Sequence, residues 1–223
     1  MDSNISLGTL FAALQPHPNL FSMPLNVLTC FICCASLLKD DILQPQSYKV
    51  PIDVAPTFLP STITSFLADC FDLSSEDVDS LWNMVKEAVW MQLSMESEKA
   101  MCTSLFQQYG THQGITLLTL YPPFKACQNP SCPMDHHSWL LKKEESRRVV
   151  IFTYGDGAQP AWSIHLKCHH CHMNYHNNFS VNRSTRTYYR GVPQCIQVGE
   201  HQFAEEKLIL HWIDLMLNVY GPF

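Results

Sequence analysis

The sequence predicts an α+β protein with a mainly helical N-terminal region, an antiparallel β module flanked by cysteines, and a C-terminal helix. Apolar residues recur at helical spacing before residue 110. After it, short β-prone runs alternate with turn residues, and two closely spaced cysteine pairs flank them. We therefore predict two regions, a mainly helical region over 1–110 and a cysteine-rich region with the C-terminal helix over 111–223.

Composition and charge support this division. The chain has 223 residues, of which 46% are hydrophobic and 15% charged, so it can bury one sizeable core or two small ones and is unlike disordered chains. Residues 1–120 carry 4 basic and 12 acidic side chains, whereas residues 121–198 carry 9 basic and 4 acidic ones. This contrast indicates two electrostatically different modules.

The helical region begins with an ambiguous apolar segment. Leu20–Leu38 is uncharged over 19 residues, close to the length of a membrane span. It contains Pro24 and several polar residues, and acidic residues follow it, so we favour a buried helix over 25–38 and consider membrane insertion the weaker alternative. Four prolines within 43–60 predict an extended connector.

Two further helices are predicted in this region. A short one covers 63–71. The next helix starts at Ser74, whose side chain can cap it together with Asp77 three positions later. This helix carries an apolar stripe that reaches Leu93. Such a stripe is typical of a core-facing helix rather than of a partner site.

The β module is predicted from short runs. A first strand covers 115–121, and strands over 149–154 and 161–167 form a hairpin around a Gly-Asp-Gly turn. A further strand covers 186–190. From Glu200 onward, apolar residues that include Phe203 and Ala204 predict a C-terminal helix that packs back on the rest of the protein.

The cysteines point to a metal site. The N-terminus lacks the positive flank of a secretory signal, so we expect a nuclear or cytoplasmic rather than secreted protein with reduced thiols. The pairs Cys127-x4-Cys132 and Cys168-x2-Cys171 flank the predicted hairpin, the order found in a zinc ribbon. These four thiolates predict a structural Zn²⁺ site with every coordination position filled by protein.

Other candidate ligands stay open at this point. A histidine such as His136, His137 or His169 can replace one cysteine, because a Cys₃His set also binds zinc. Cys30, Cys33 and Cys34 lie in an apolar helix without a partner pair, and we interpret them as packing residues. Cys70, Cys102 and Cys195 are isolated in sequence and receive the same interpretation.

The basic residues of the β module suggest a nucleic-acid partner. Basic side chains neutralise phosphates, and neighbouring tyrosines can stack on bases. The competing interpretation is a solvated ribbon surface. The candidate contact residues are Lys142, Lys143, Arg147, Arg148, Lys167, Arg183, Arg186 and Arg190.

Several motifs together resemble a known family. Taken in order, these motifs resemble the CxC-type cysteine cluster associated with Kyakuja–Dileera–Zisupton (KDZ) transposases. Such transposases occur in mobile elements that are largely fungal. The motifs that carry the resemblance are Tyr121-Pro122-Pro123, the two cysteine pairs, His165-Leu166-Lys167, Asn174–Val181, Arg186–Tyr189 and Gln197–Phe203. The resemblance implies a zinc-chelating module that recognises DNA or a protein partner, such as a transposase catalytic domain.

No enzymatic activity is predicted for the chain itself. A transposase of this kind needs a ribonuclease-H-like domain whose carboxylates hold two metal ions, and the chain leaves no length for one after the cluster. Nucleophile-elbow, P-loop and H-E-x-x-H patterns do not occur, and no small-molecule substrate is expected. We therefore expect a non-catalytic module that binds DNA, with a protein-interaction module whose zinc is purely structural as the alternative.

Overall fold

The chain forms two compact units. The structure, a computed structural model, describes residues 7–46, 53–91, 99–133 and 140–219. Its internal contacts divide the chain into Met1–Leu117 and Leu118–Phe223. The first unit is helical, and the second holds a mixed, mostly antiparallel sheet followed by a helix, which confirms the α+β prediction.

The N-terminal unit packs its helices around one apolar core. Phe31, Phe66, Leu81 and Trp82 are all essentially inaccessible to solvent within it. A π-helical turn (Phe106–Gly110) and a 3₁₀ turn (Thr111–Gln113) close the unit. The helices are α1 (Leu7–Leu14), α2 (Pro18–Phe21), α3 (Leu25–Leu37), α4 (Lys39–Leu43), α5 (Ser61–Phe71), α6 (Ser75–Met91) and α7 (Lys99–Leu105).

The ambiguous apolar segment is a buried helix. Pro24 precedes α3 in an extended conformation and interrupts the segment, and α3 then buries a face that includes Phe31 and Cys34. Over the residues described, no helix is both long and apolar enough to cross a bilayer. The prediction of a buried helix over 25–38 is therefore confirmed.

Helix α6 begins where its capping residues predict. The Ser74 hydroxyl accepts the backbone N–H of Asp77 at 3.0 Å and donates to the Asp77 carboxylate at 2.9 Å. The indole N–H of Trp82 donates to the carbonyl of Pro56 at 3.1 Å, which ties the proline-rich connector to the core. The predicted extension to Leu93 lies partly outside the described residues, since α6 is followed by the undescribed segment 92–98.

The C-terminal unit is built on a hairpin. Strands β2 and β3 pair antiparallel from Lys142↔Lys167 to Thr153↔Gly157, with the predicted glycine turn between them. The predicted hairpin is therefore confirmed, although β2 starts seven residues earlier than expected. The strands are β1 (Leu118–Leu120), β2 (Lys142–Thr153), β3 (Gly157–Lys167), β4 (Asn174–Tyr175), β5 (Phe179–Asn182), β6 (Thr185–Tyr188), β7 (Cys195–Gly199) and β8 (Gln202–Glu205).

The sheet is larger than a minimal zinc ribbon. In the described part of the chain its main path runs β6-β5-β4-β3-β2-β8-β7, and β1 pairs with β3 beside this path. The β1–β3 and β2–β8 pairings are parallel and the others antiparallel. Of the first predicted strand, 115–121, only Leu118–Leu120 pairs.

The C-terminal helix starts later than predicted. Phe203 and Ala204 belong to β8, where they pair with Ile151 and Phe152 of β2, so their assignment to the helix is wrong. Helix α8 (Glu206–Val219) follows and contacts β2 and β8. The helix thus packs on the sheet of its unit, but no residue of α8 is fully buried and Trp212 remains 51% exposed.

Candidate metal centre

The two predicted cysteine pairs converge in the C-terminal unit. The Sγ atoms of Cys127, Cys132, Cys168 and Cys171 all lie within 4.8 Å of one another. Across the two loops, Cys127 and Cys171 are separated by 3.5 Å and Cys132 and Cys168 by 3.8 Å. A tetrahedral zinc ion with Zn–S bonds of about 2.3 Å has sulfur–sulfur edges of about 3.8 Å. The four sulfur atoms therefore fit a tetrahedral thiolate site.

The first loop is closed by Asn129. Its carbonyl accepts the N–H of Cys132 at 2.9 Å, and its side-chain oxygen accepts the N–H of Ser131 at 3.1 Å. An isolated bridge between Ala126 and Leu140 holds the start of the loop. These local hydrogen bonds turn the chain so that both cysteines of the C-x4-C pair face the same point.

The second loop is a tight turn at the end of β3. The N–H of Cys168 donates to the carbonyl of Met173 at 2.9 Å, and the carbonyl of Cys168 accepts the N–H of His172 at 3.0 Å. His172 adopts a left-handed conformation with φ of 58°, which reverses the chain into β4. The turn thereby presents Cys168 and Cys171 toward the first loop.

Tyr175 supports the cluster from β4, a role that the sequence did not predict. Its ring is completely buried, and its hydroxyl donates to Cys127 Sγ at 3.3 Å and accepts the N–H of Gln128 at 2.7 Å. In the sequence, Tyr175 belonged to the motif Asn174–Val181 and to the tyrosines near the basic residues, and neither pattern predicted contact with the cysteines. Its position opposite Leu166 in the sheet register is what directs it inward.

The thiols of Cys127 and Cys171 have different pKa values because their surroundings differ. Burial raises the pKa of Cys127 to about 12, although the hydrogen bonds from Tyr175 and the Asn129 backbone act against it. Burial also acts to raise the pKa of Cys171, but hydrogen bonds from the Asn129 side chain and the Met173 backbone outweigh it and lower this pKa to about 7. Cys171 is therefore the thiol of this pair that ionises more readily, and a bound cation would displace the proton of Cys127.

The cluster is itself the centre of a small core. Leu141, Ile164, Leu166 and Tyr175 are the buried residues packed with the cysteines. Such a core buries little apolar surface, so an ion that joins the two loops would supply much of the cohesion of this part of the unit.

No histidine joins the group among the residues that the structure describes. His169 and His170 are exposed and contact each other, with ring centroids 5.8 Å apart. His165 and His176 contact each other at 4.1 Å on the sheet. His136 and His137 lie outside the described residues, so the alternative that one of them is a ligand stays a prediction.

Three basic and polar side chains form a row across the sheet that continues through Val181 to Arg186. Directly paired residues share one face of a sheet, and the register aligns Lys142 with Lys167, Lys167 with Asn174, Asn174 with Val181, and Val181 with Arg186. We call this row and its neighbours on the same face the basic face, whose members include Lys142, Arg147, His165, Lys167, Asn174, His176, Phe179, Val181, Arg186 and Tyr188. The register places the acidic Glu145 on this face as well, opposite His165.

The remaining predicted contact residues lie elsewhere. Lys143 and Arg148 lie on the opposite face of β2 and β3, where the Arg148 guanidinium is 5.5 Å from the centroid of the Trp162 ring. Arg183 lies in the turn between β5 and β6, and Arg190 follows β6. The structure therefore gathers half of the predicted basic residues on one face.

Aromatic groups accompany the charges on the basic face. The Arg186 guanidinium lies 4.2 Å from the centroid of the Phe179 ring, and His176 stacks on the same ring at 4.5 Å. Burial lowers the pKa of His176 to about 4, helped by His165, Arg186 and Arg147. His176 is therefore neutral at pH 7, and the positive charge of this face comes from its lysines and arginines.

A cavity opens beside this face. Its volume is about 510 Å³, and its lining includes Arg186, Tyr188 and Tyr189 together with the loop before β7. Tyr188 is 65% exposed. On the same face, Arg147 and Lys167 pair with Glu145 and Glu144 at 3.0 and 3.1 Å, exposed ion pairs that a stronger anion can displace at little cost.

Comparison with known proteins identifies the C-terminal unit. The family model described as "CxC5 like cysteine cluster associated with KDZ transposases" matches residues 115–221, a range that contains all four cysteines of the site. No curated protein and no solved structure matches the chain. Residues 115–221 therefore belong to the family of CxC5-like cysteine clusters associated with KDZ transposases.

Proposed function

We propose that this chain is a non-catalytic, zinc-stabilised module of transposase origin that binds DNA through the basic face. The observation that carries the proposal is the aligned row from Lys142 through Lys167 to Arg186, with aromatic groups beside it. The thiols of such a site must stay reduced, which favours a nuclear or cytoplasmic protein.

Zinc is the ion that best suits the four cysteines. Soft thiolate ligands in a tetrahedron select zinc over magnesium or calcium, which prefer oxygen ligands. A tetrahedral ion held by four protein thiolates has no open position for water or substrate. The ion would therefore stabilise the fold rather than catalyse a reaction.

The dimensions of the basic face suit a nucleic-acid backbone. Neighbouring strands lie about 4.8 Å apart, so the row across five strands extends over about 19 Å. One DNA strand presents a phosphate about every 3.4 Å along the helix axis, so the row spans about five phosphates. Arg186 and Tyr188 lie at the end of the row, where the cavity offers room for a base or sugar.

Replacing Arg186 by glutamine is expected to weaken binding to duplex DNA about fivefold and to reduce the slope of log K against log salt by about one. The substitution removes a cation that is directed toward the phosphates while retaining a polar side chain. Fluorescence anisotropy at several salt concentrations measures both quantities.

Arg148→Gln is the matched control, because Arg148 also lies on a strand against an aromatic ring but on the opposite face. We expect this variant to bind as the unmodified protein does. Equal losses in the two variants, or no salt-dependent binding of the unmodified protein at 50 mM salt, would contradict the proposed DNA-binding face.

Helix α8 supports the alternative, a protein-interaction module. Its exposed side chains include Trp212, Leu215 and Met216, an apolar surface that a protein partner such as a transposase catalytic domain would cover. Under this alternative the zinc ion only maintains the fold, and the Arg186 and Arg148 variants would behave alike.

A further inference from the structure

A second group of thiols lies in the N-terminal unit, outside the matched family. The Sγ atoms of Cys30, Cys34 and Cys102 all lie within 4.8 Å of one another, and Cys34 and Cys102 are 3.3 Å apart. All three side chains are at most 1% exposed. Cys102 is isolated in the sequence and is buried in the core, as its interpretation as a packing residue requires, but it also contacts a cysteine 68 positions away.

Two helices build this group. Cys30 and Cys34 lie one turn apart on α3, so they share a face of that helix. Helix α7 brings Cys102 against them. Cys33 is also buried and lies within hydrogen-bonding reach of Cys102, although its sulfur is not one of the three that all lie within 4.8 Å of one another.

The arrangement is more specific than packing requires. An isolated buried cysteine behaves as a small apolar residue and has no need of sulfur neighbours. Here three buried thiols from two helices converge, with their sulfur atoms all within 4.8 Å of one another.

We propose that Cys30, Cys34 and Cys102, with Cys33 as the fourth thiol, bind a second soft metal ion of the zinc class. Sulfur separations within 4.8 Å bracket the edge of about 3.8 Å that a tetrahedral zinc thiolate site requires. The ion would offset two of the thiolate charges. It would also cross-link α3 to α7 and thereby close a long loop of the helical unit.

The test is the zinc content of the full chain, purified under reducing conditions with added Zn²⁺. We expect about two ions per chain, and about one after Cys34→Ala, a change that leaves no unpaired polar group in the core. Cys70→Ser is the matched control, because Cys70 lies in the same unit but outside the group, and it should retain about two ions. Far-UV circular dichroism verifies that each variant is folded.

A Co²⁺ titration of the Cys168→Ser variant isolates the second site. We expect one thiolate-to-cobalt charge-transfer band there, and its loss in the Cys34→Ala/Cys168→Ser double variant. A Cys168→Ser variant that keeps the helical circular-dichroism signal of the N-terminal unit but binds no Co²⁺, or an intact mass under non-reducing conditions that shows a Cys34–Cys102 disulfide, would overturn the proposal. If the C-terminal four-cysteine site binds no zinc, the result is different. Cys34→Ala would then still remove one ion, whereas Cys168→Ser would remove none.

Discussion

Replacing Cys168 by serine is expected to eliminate metal binding by the C-terminal cluster and to unfold the C-terminal unit. The residue supplies one of four converging sulfur atoms, and the core around them contains few other buried side chains. Structural zinc sites contribute on the order of 10 kcal/mol of apparent binding free energy, which is comparable to the whole stability of a typical domain. Elemental analysis and near-UV circular dichroism of the variant measure both losses.

Cys195→Ser is the control for this experiment. Cys195 is half-buried in the same unit, and its sulfur lies outside the group of four. We expect this variant to retain its metal and its fold. The helical signal should persist even in the Cys168 variant, because the N-terminal unit has its own core. A Cys168→Ser protein with unchanged metal content would exclude the four-cysteine site.

The parts of the fold that depend on local chemistry were predictable. The hairpin follows from β-prone runs around a glycine turn, and the start of α6 follows from the Ser74–Asp77 capping box. The convergence of Cys127 and Cys132 with Cys168 and Cys171 follows from the same hairpin, which brings its two flanking loops side by side. In each case the determining residues are close in sequence or joined by one turn.

The parts that depend on distant pairing were not predictable. Phe203 and Ala204 fit a helical period, but pairing with β2 determines their conformation, and no local pattern reports that pairing. Cys102 meets Cys34 only because α7 packs on α3. The division of the basic residues between two faces required the strand register, including the irregularity between Lys143 and Glu145, since a shift of one residue exchanges the faces.

Replacing Tyr175 by phenylalanine is expected to lower metal affinity about 10- to 100-fold without removing a ligand. The substitution preserves the buried ring but removes the hydroxyl that donates to Cys127 Sγ. It also leaves the N–H of Gln128 without this acceptor, and because Gln128 is exposed, water can replace part of the lost hydrogen bond. Competition with a chromophoric chelator measures the affinity.

The pH dependence of the Tyr175 variant provides a second test. The Tyr175 hydroxyl acts to lower the pKa of Cys127 against burial, so its removal raises that pKa further. Metal must displace the thiol proton, and protons compete better when the thiol pKa is higher. The loss of affinity should therefore grow as the pH falls, in contrast to a loss that arises from packing alone.

Tyr189→Phe is the matched control for Tyr175→Phe. Tyr189 packs against the same small core, but its hydroxyl donates to the carbonyl of Phe179 at 2.9 Å rather than to a cysteine sulfur. Removing this hydroxyl should cost stability but leave metal affinity and its pH dependence unchanged. Equal effects of the two substitutions would mean that Tyr175 acts only through packing. If only Tyr175→Phe lowers the metal affinity, and lowers it more at low pH, then the metal centre includes more than its four sulfur atoms. It also includes the Tyr175 hydroxyl, which polarises the sulfur of Cys127.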